Sequence, residues 1–217
     1  MKAIKLVRKL RMVFRSTMSM LLLAFVTSTL AASIDFRDVS DQFDGSLERM
    51  VKDLKGSDHE MISIGTFPGG KTCIQDANMG NFSTIRRVSQ VSLMTMWGRL
   101  SVQGGLSLGE MVIIGPGDGT NNDIQQKIIV RENLWNYNFW INPDTENCND
   151  GVVVLLTDMG EMKLVFDNGQ LVEEQDVTYW VKHHMDDPTR RRIAGAIAQV
   201  FENHFNFCNL LKNESLV

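Results

Sequence analysis

Apolar positions change period along the chain, and the changes predict its elements. Phe36, Val39, Phe43, Leu47, Met50, Val51 and Leu54 recur at steps of three and four, the stripe of an amphipathic helix ending at Gly56, with Gly45 as a point of division. From residue 61 the apolar runs become short and β-type, at 61–64, 91–102, 106–114, 124–130, 134–141, 151–157, 161–166 and 171–174. The separators Gln103-Gly104-Gly105, Gly115-Pro116-Gly117-Asp118-Gly119, Arg131-Glu132-Asn133, Asp158-Met159-Gly160 and Asp167-Asn168-Gly169 suit tight reversals. Reversals this short join antiparallel neighbours, because a parallel pair needs a crossover of about a dozen residues.

After an extended stretch at 177–181, Asp187 as N-cap and Pro188 as first helical residue open a last helix. Its apolar line runs through Ile193, Ile197, Val200, Phe201 and Leu211, with Cys208 as a buried thiol. The predicted fold class is α+β: an antiparallel meander sheet flanked by an N-terminal and a C-terminal amphipathic helix. On the run 134–141, Trp135, Tyr137, Phe139 and Ile141 share the core face, which leaves Trp140 on the polar face with Asn136 and Asn138.

The start of the chain has a different composition. Lys2, Lys5, Arg8, Lys9, Arg11 and Arg15 precede an apolar run at 18–26 and a small-residue stretch ending near Ser33, the three-part layout of a secretory signal peptide. Residues 1–32 are therefore expected to be a leader, and 33–217 a single globular domain. No apolar run reaches the roughly 18 residues that span a bilayer, so no transmembrane span is expected after leader removal. With 43% hydrophobic and 22% charged positions among 217 residues, disorder and collagen-like repeats are excluded. The leader holds six positive charges and no acid, so its removal takes the net charge from −4 to −10. A chain of that sign repels phosphate backbones, which disfavours nucleic acid as a partner.

Export gives the three cysteines their meaning, because an oxidising compartment converts thiol pairs into bridges. Cys73 and Cys148 both lie in polar, turn-rich surroundings, so a Cys73–Cys148 disulfide is expected, with Cys208 free.

Two constellations resemble active chemistry. Residues 65–72 satisfy G-x-x-x-x-G-K-[ST], with Gly65, Gly70, Lys71 and Thr72 at the fixed positions, and the apolar run 152–157 ends at Asp158 as a metal-holding strand would. A true phosphate-binding loop opens a helix whose N-terminus faces the phosphates, yet residues 73–81 contain two Asn and a Gly and read as loop. The pattern arises by chance in roughly one chain per hundred of this size. His183, His184 and Asp186 offer metal ligands, but adjacent histidines on an extended segment face opposite ways. The acidic loops at 118–123 and 144–150 are oxygen-rich, and neither fits the twelve-residue calcium loop.

No nucleophile–base order stands out, so no catalytic residue and no cofactor are assigned. The functional expectation is an exported, periplasmic or extracellular, non-enzymatic protein that binds another macromolecule. A protein partner is expected, as for an envelope or secretion-assembly component. The alternatives are a nucleotide-binding enzyme using residues 65–72 and an exported metal-assisted hydrolase.

Overall fold

Four stretches of chain carry the fold, and each one bends once to pass from one antiparallel sheet into another. The computed structural model describes residues 35–55, 61–69, 73–96, 99–116, 125–167 and 172–212. The expected leader, Gly70, Lys71 and Thr72 lie outside them. Among the described residues the strands are β1 (Asp35–Asp38), β2 (Met61–Pro68), β3 (Cys73–Gly80), β4 (Ile85–Arg87), β5 (Ser92–Met96) and β6 (Arg99–Leu108). They continue with β7 (Met111–Pro116), β8 (Gln125–Arg131), β9 (Leu134–Ile141), β10 (Asn149–Asp158), β11 (Glu161–Asp167) and β12 (Val172–Asp176). The helices are α1 (Ser40–Leu54), α2 (Thr178–His184) and α3 (Asp187–His204).

The single meander sheet expected from the sequence is instead two antiparallel six-stranded sheets. Sheet I has the order β1-β5-β6-β9-β10, with β4 also on β6, and sheet II the order β12-β11-β8-β7-β3-β2. Arg131-Glu132-Asn133 and Asp158-Met159-Gly160 are therefore corners between sheets and not reversals, since β8 pairs with β7 and β11 while β9 pairs with β6 and β10. Left-handed residues make these bends: Asn81 (φ 69°) between β3 and β4, Glu132 (φ 55°) between β8 and β9, and Gly160 (φ 66°) between β10 and β11. A fourth corner, Gly109-Glu110, interrupts the run 106–114. There Asn81 Nδ2 donates to the Glu110 carbonyl at 2.6 Å and the Gly109 N–H to the Thr84 carbonyl at 3.0 Å.

Gln103-Gly104-Gly105 likewise makes no turn and lies inside β6. Gly104 is required because Tyr137, its register partner on β9, lies across it, and a Cβ there would overlap the phenol. Tyr137, with Trp135, Phe139 and Ile141, is buried on the inner face of sheet I. Phe43 of α1 stacks on Tyr137 (centroids 5.2 Å apart), and Phe201, Phe205 and Phe207 close over Phe139.

The helices depart from expectation at their ends. Phe36 leaves the predicted helical stripe for β1, because α1 begins only at Ser40, whose N–H donates to Asp38 Oδ1 at 2.9 Å. Gly45 does not divide α1. The stretch after Val177 is helical, with the Thr178 N–H held by Asp176 Oδ1 at 2.8 Å. Asp186, not Asp187, caps α3 by accepting from the Thr189 N–H at 2.8 Å, and Pro188 is then the second helical residue. The last helix stops at His204, so Cys208 sits in a separate 3-10 turn, Phe207–Leu211.

That turn explains the disulfide. Cys148 bonds to Cys208, with Cα atoms 5.1 Å apart, and Cys73 is the free thiol, against the expected Cys73–Cys148 bridge. Cys148 ends the turn after β9 in sheet I, over which Phe207 packs, whereas Cys73 opens β3 in sheet II opposite Pro68. The polar neighbours of Cys148 suggested a surface position, yet the residue itself is buried.

Candidate functional site

The outer face of sheet I is built by register. Met94, Ser101, Trp140 and Gly151 form one cross-strand row over β5, β6, β9 and β10, Ser92, Gln103, Asn138 and Val153 form the next, and Gly105, Asn136 and Leu155 the third. Between these rows and Phe36 on β1 lies a cleft of about 580 Å³. Its polar lining is Ser89, Gln90, Ser92, Gln103, Asn136 and Asn138, and its apolar lining is Phe36, Met94, Val153 and Leu155. No carboxylate, imidazole, thiol or amine is among the lining residues, on a chain whose net charge is −4.

Phe36 and Leu155 are each 62% exposed and Val153 46%. Half of the six exposed large apolar side chains among the described residues therefore converge on this one cleft, a clustering that marks interaction surfaces, whereas single exposed apolar residues are ordinary. The amides add donors and acceptors on the floor. Asn138 Oδ1 is shielded from water with no hydrogen-bond partner. The cleft's chemistry is thus apolar contact plus neutral hydrogen bonding. Beneath it the Tyr137 hydroxyl, also without a partner, stays protonated because burial pushes its pKa up, with Arg87 opposing.

The residues singled out from sequence lie elsewhere. Gly65 sits within β2 at φ 70°, and the chain that follows residue 72 is strand β3, paired antiparallel with β2, where a phosphate-binding loop requires a helix. Asp158, at the end of β10, bonds to Lys182 Nζ at 2.8 Å and accepts from the Gly160 N–H at 3.1 Å. These contacts, Lys182 first, hold its carboxyl below the ordinary value. His183 and His184 are on α2 and not on an extended segment. Each ring lies against the aromatic ring four residues before it, Tyr179 or Trp180, and donates through Nδ1 to that residue's carbonyl at 2.7 and 2.8 Å. Asp186 is occupied as a helix cap, and hydrogen bonds from Thr189 lower its pKa. Among the described residues no group of three or more His, Cys, Asp or Glu could hold a metal ion. No described helix is long and apolar enough to cross a membrane.

Sequence reasoning passed over the cleft although one signal was present. The run Val152-Val153-Val154-Leu155-Leu156 is apolar on both faces, which at a sheet edge means that one apolar face is left outside. No family model and no curated protein matches the chain.

Proposed function

We propose that this chain is an exported binding protein that docks a neutral, apolar-centred surface of a protein partner on the outer face of sheet I. The observation that carries the reading is the convergence of Phe36, Val153 and Leu155 on a cleft whose lining is entirely uncharged. Burying one such side chain at an interface contributes about 1.5–3 kcal/mol, and the surrounding amides supply orientation. The Cys148–Cys208 bridge supports an oxidising compartment, and the acidic charge supports a protein partner over nucleic acid.

Site-specific photo-crosslinking in the protein's native compartment tests the reading. A photoreactive residue at Gln103, on the cleft floor, should give a discrete adduct that disappears when Leu155→Lys is added. The same probe at Lys127, on the outer face of sheet II, should give none. Equal labelling from both positions, or no adduct from Gln103, contradicts the proposal.

A further inference from the structure

Resting on the docking reading above, we infer that the part of the partner held in the cleft is an extended, uncharged peptide segment lying along β9, whose main-chain N–H and C=O groups pair with the side-chain amides of Asn136 and Asn138. The cleft thus selects a backbone conformation together with alternating apolar side chains.

The floor supplies the pattern. Asn136 and Asn138 stand two residues apart on β9 and both line the cleft, so their amides repeat at roughly 7 Å. Along one edge of an extended chain every second residue presents both its N–H and its C=O, at the same repeat. Each carboxamide carries donors and an acceptor, so each serves both groups of one peptide residue. Gln103, the register partner of Asn138 on β6, widens the amide strip, and Gly105 opposite Asn136 leaves room above it.

The fold itself does not use these amides. Among the described residues the carboxamides of Gln103, Asn136 and Asn138 make no hydrogen bond, and Asn138 Oδ1 is cut off from water as well. Asn81 and Asn133, by contrast, are spent on the protein's own backbone at Glu110 and Leu108. An acceptor without water or a partner costs stability until a donor reaches it. A peptide N–H entering the cleft is such a donor.

The walls fix the side chains. With its pairing edge turned to the floor, an extended segment points successive side chains alternately towards β10 and towards β5 and β1. The β10 wall is Val153 and Leu155, whereas the opposite wall mixes Phe36 and Met94 with Ser92 and Gln90. Apolar residues therefore belong on the β10 side, and small hydroxyl residues are accepted on the other. The helix α3 packs on β10, yet Val153 and Leu155 stay exposed, so this face is open irrespective of what covers the strand's edge. Charge completes the match, because a lining without any charged group gives a buried Lys or Glu no partner. The rows from Trp140 to Asn136 span roughly 13 Å, and the cleft of about 580 Å³ suits a segment of about five residues.

The test uses the full oxidised chain and three end-capped, labelled peptides: Thr-Val-Thr-Val-Thr-Val, Thr-Leu-Thr-Leu-Thr-Leu and Thr-Phe-Thr-Phe-Thr-Phe. Anisotropy titration should show saturable binding of at least one. Combining Asn136→Leu with Asn138→Leu keeps the size of both side chains, removes their hydrogen bonds and should weaken binding at least about tenfold. The unfolding midpoint checks that the double variant is folded, and Asn136→Leu alone, at an exposed position, carries the test if it is not. N-methylation of one alternate set of peptide residues should abolish binding while the other set is tolerated, since only one edge meets the floor. Equal effects of the two sets, or affinity unchanged or raised in the Leu variants, would show apolar contact without backbone pairing and overturn the inference. Binding of cellohexaose or chitohexaose where no peptide binds would overturn it in favour of a neutral glycan. Failure of every peptide while the Gln103 adduct still forms overturns the inference alone, and loss of the adduct overturns the docking reading with it.

Discussion

Asn133 holds Leu108 by both ends of its amide: Oδ1 accepts from the Leu108 N–H and Nδ2 donates to the Leu108 carbonyl, each at 2.8 Å. The indole of Trp135 donates to the same Oδ1 at 2.8 Å, and Asn133 is only 2% exposed. This clamp ties the point where β6 leaves sheet I to the point where the β8–β9 ribbon enters it. The bend of two neighbouring ribbons thus depends on one buried side chain.

Replacing Asn133 by Ala strands three buried polar groups, at about 1–3 kcal/mol for each one left unsatisfied. The expected loss is about 3 kcal/mol or more, read from the urea midpoint, whereas Asn136→Ala on the exposed outer face should change stability by less than about 0.5 kcal/mol. Similar losses for the two variants would remove the clamp from the account.

At the neighbouring corner a Cβ on Gly160 would overlap the carbonyl of Arg131 and lie 2.6 Å from Glu132, at a φ of 66°. Gly160→Ala should therefore cost more than about 2 kcal/mol or prevent folding. Gly45→Ala is the contrasting case, since open space surrounds that position in the middle of α1. It should stabilise by about 0.5–1 kcal/mol.

These corners also show what the sequence could carry. The strand β9 and its buried face were legible because Trp135, Tyr137, Phe139 and Ile141 recur at every second position, with Asn136 and Asn138 between the first three. The split into two sheets was not, because Glu132-Asn133 and Met159-Gly160 have the composition of hairpin turns, and only pairing partners 20 or more residues away distinguish a corner from a reversal. The run at 61–64 was recognised, but its continuation to Pro68 and the whole of β3 were hidden by Gly65, Pro68 and Asn78, which weaken strand propensity and are held by the β2–β3 and β3–β7 ladders. The docking face was hidden for a related reason, as Phe36, Met94, Gln103, Asn136 and Leu155 come from five separate strands.

Cysteine variants separate the bridge from the free thiol. Cys208→Ser opens a loop of 60 residues and should cost about 4 kcal/mol by loop-closure entropy. Cys73→Ser removes a half-buried free thiol and should cost less than about 1 kcal/mol. Thiol counting on the oxidised protein should find Cys73 alone, and destabilisation by Cys73→Ser as large as by Cys208→Ser would contradict the pairing.

Acid should weaken the fold. Asp38, Asp158, Asp176, Asp186 and Glu174 all have pKa values below their ordinary 3.8 or 4.5, through hydrogen bonds from Ser40, Lys182, Thr178, Thr189 and Lys163 respectively. Folded values below unfolded ones mean that the stabilisation is complete above the ordinary carboxylate range. It is lost as pH falls through the folded values, where the unfolded chain binds more protons. Unfolding midpoints should be flat from neutrality to about pH 5 and fall below about pH 4. A midpoint that rises on acidification would reverse the assigned sign.

Docking on the outer face of sheet I is tested by the affinity of the partner captured at Gln103 for the wild-type chain and for Leu155→Lys, by calorimetry at moderate salt. Leu155 is an exposed outer-face residue, so the substitution should leave the unfolding midpoint within about 0.5 kcal/mol of wild type. Binding should weaken at least about tenfold, as expected when a central apolar contact is replaced by a charge. Equal affinity of the two proteins would show that the partner does not bind the outer face of sheet I.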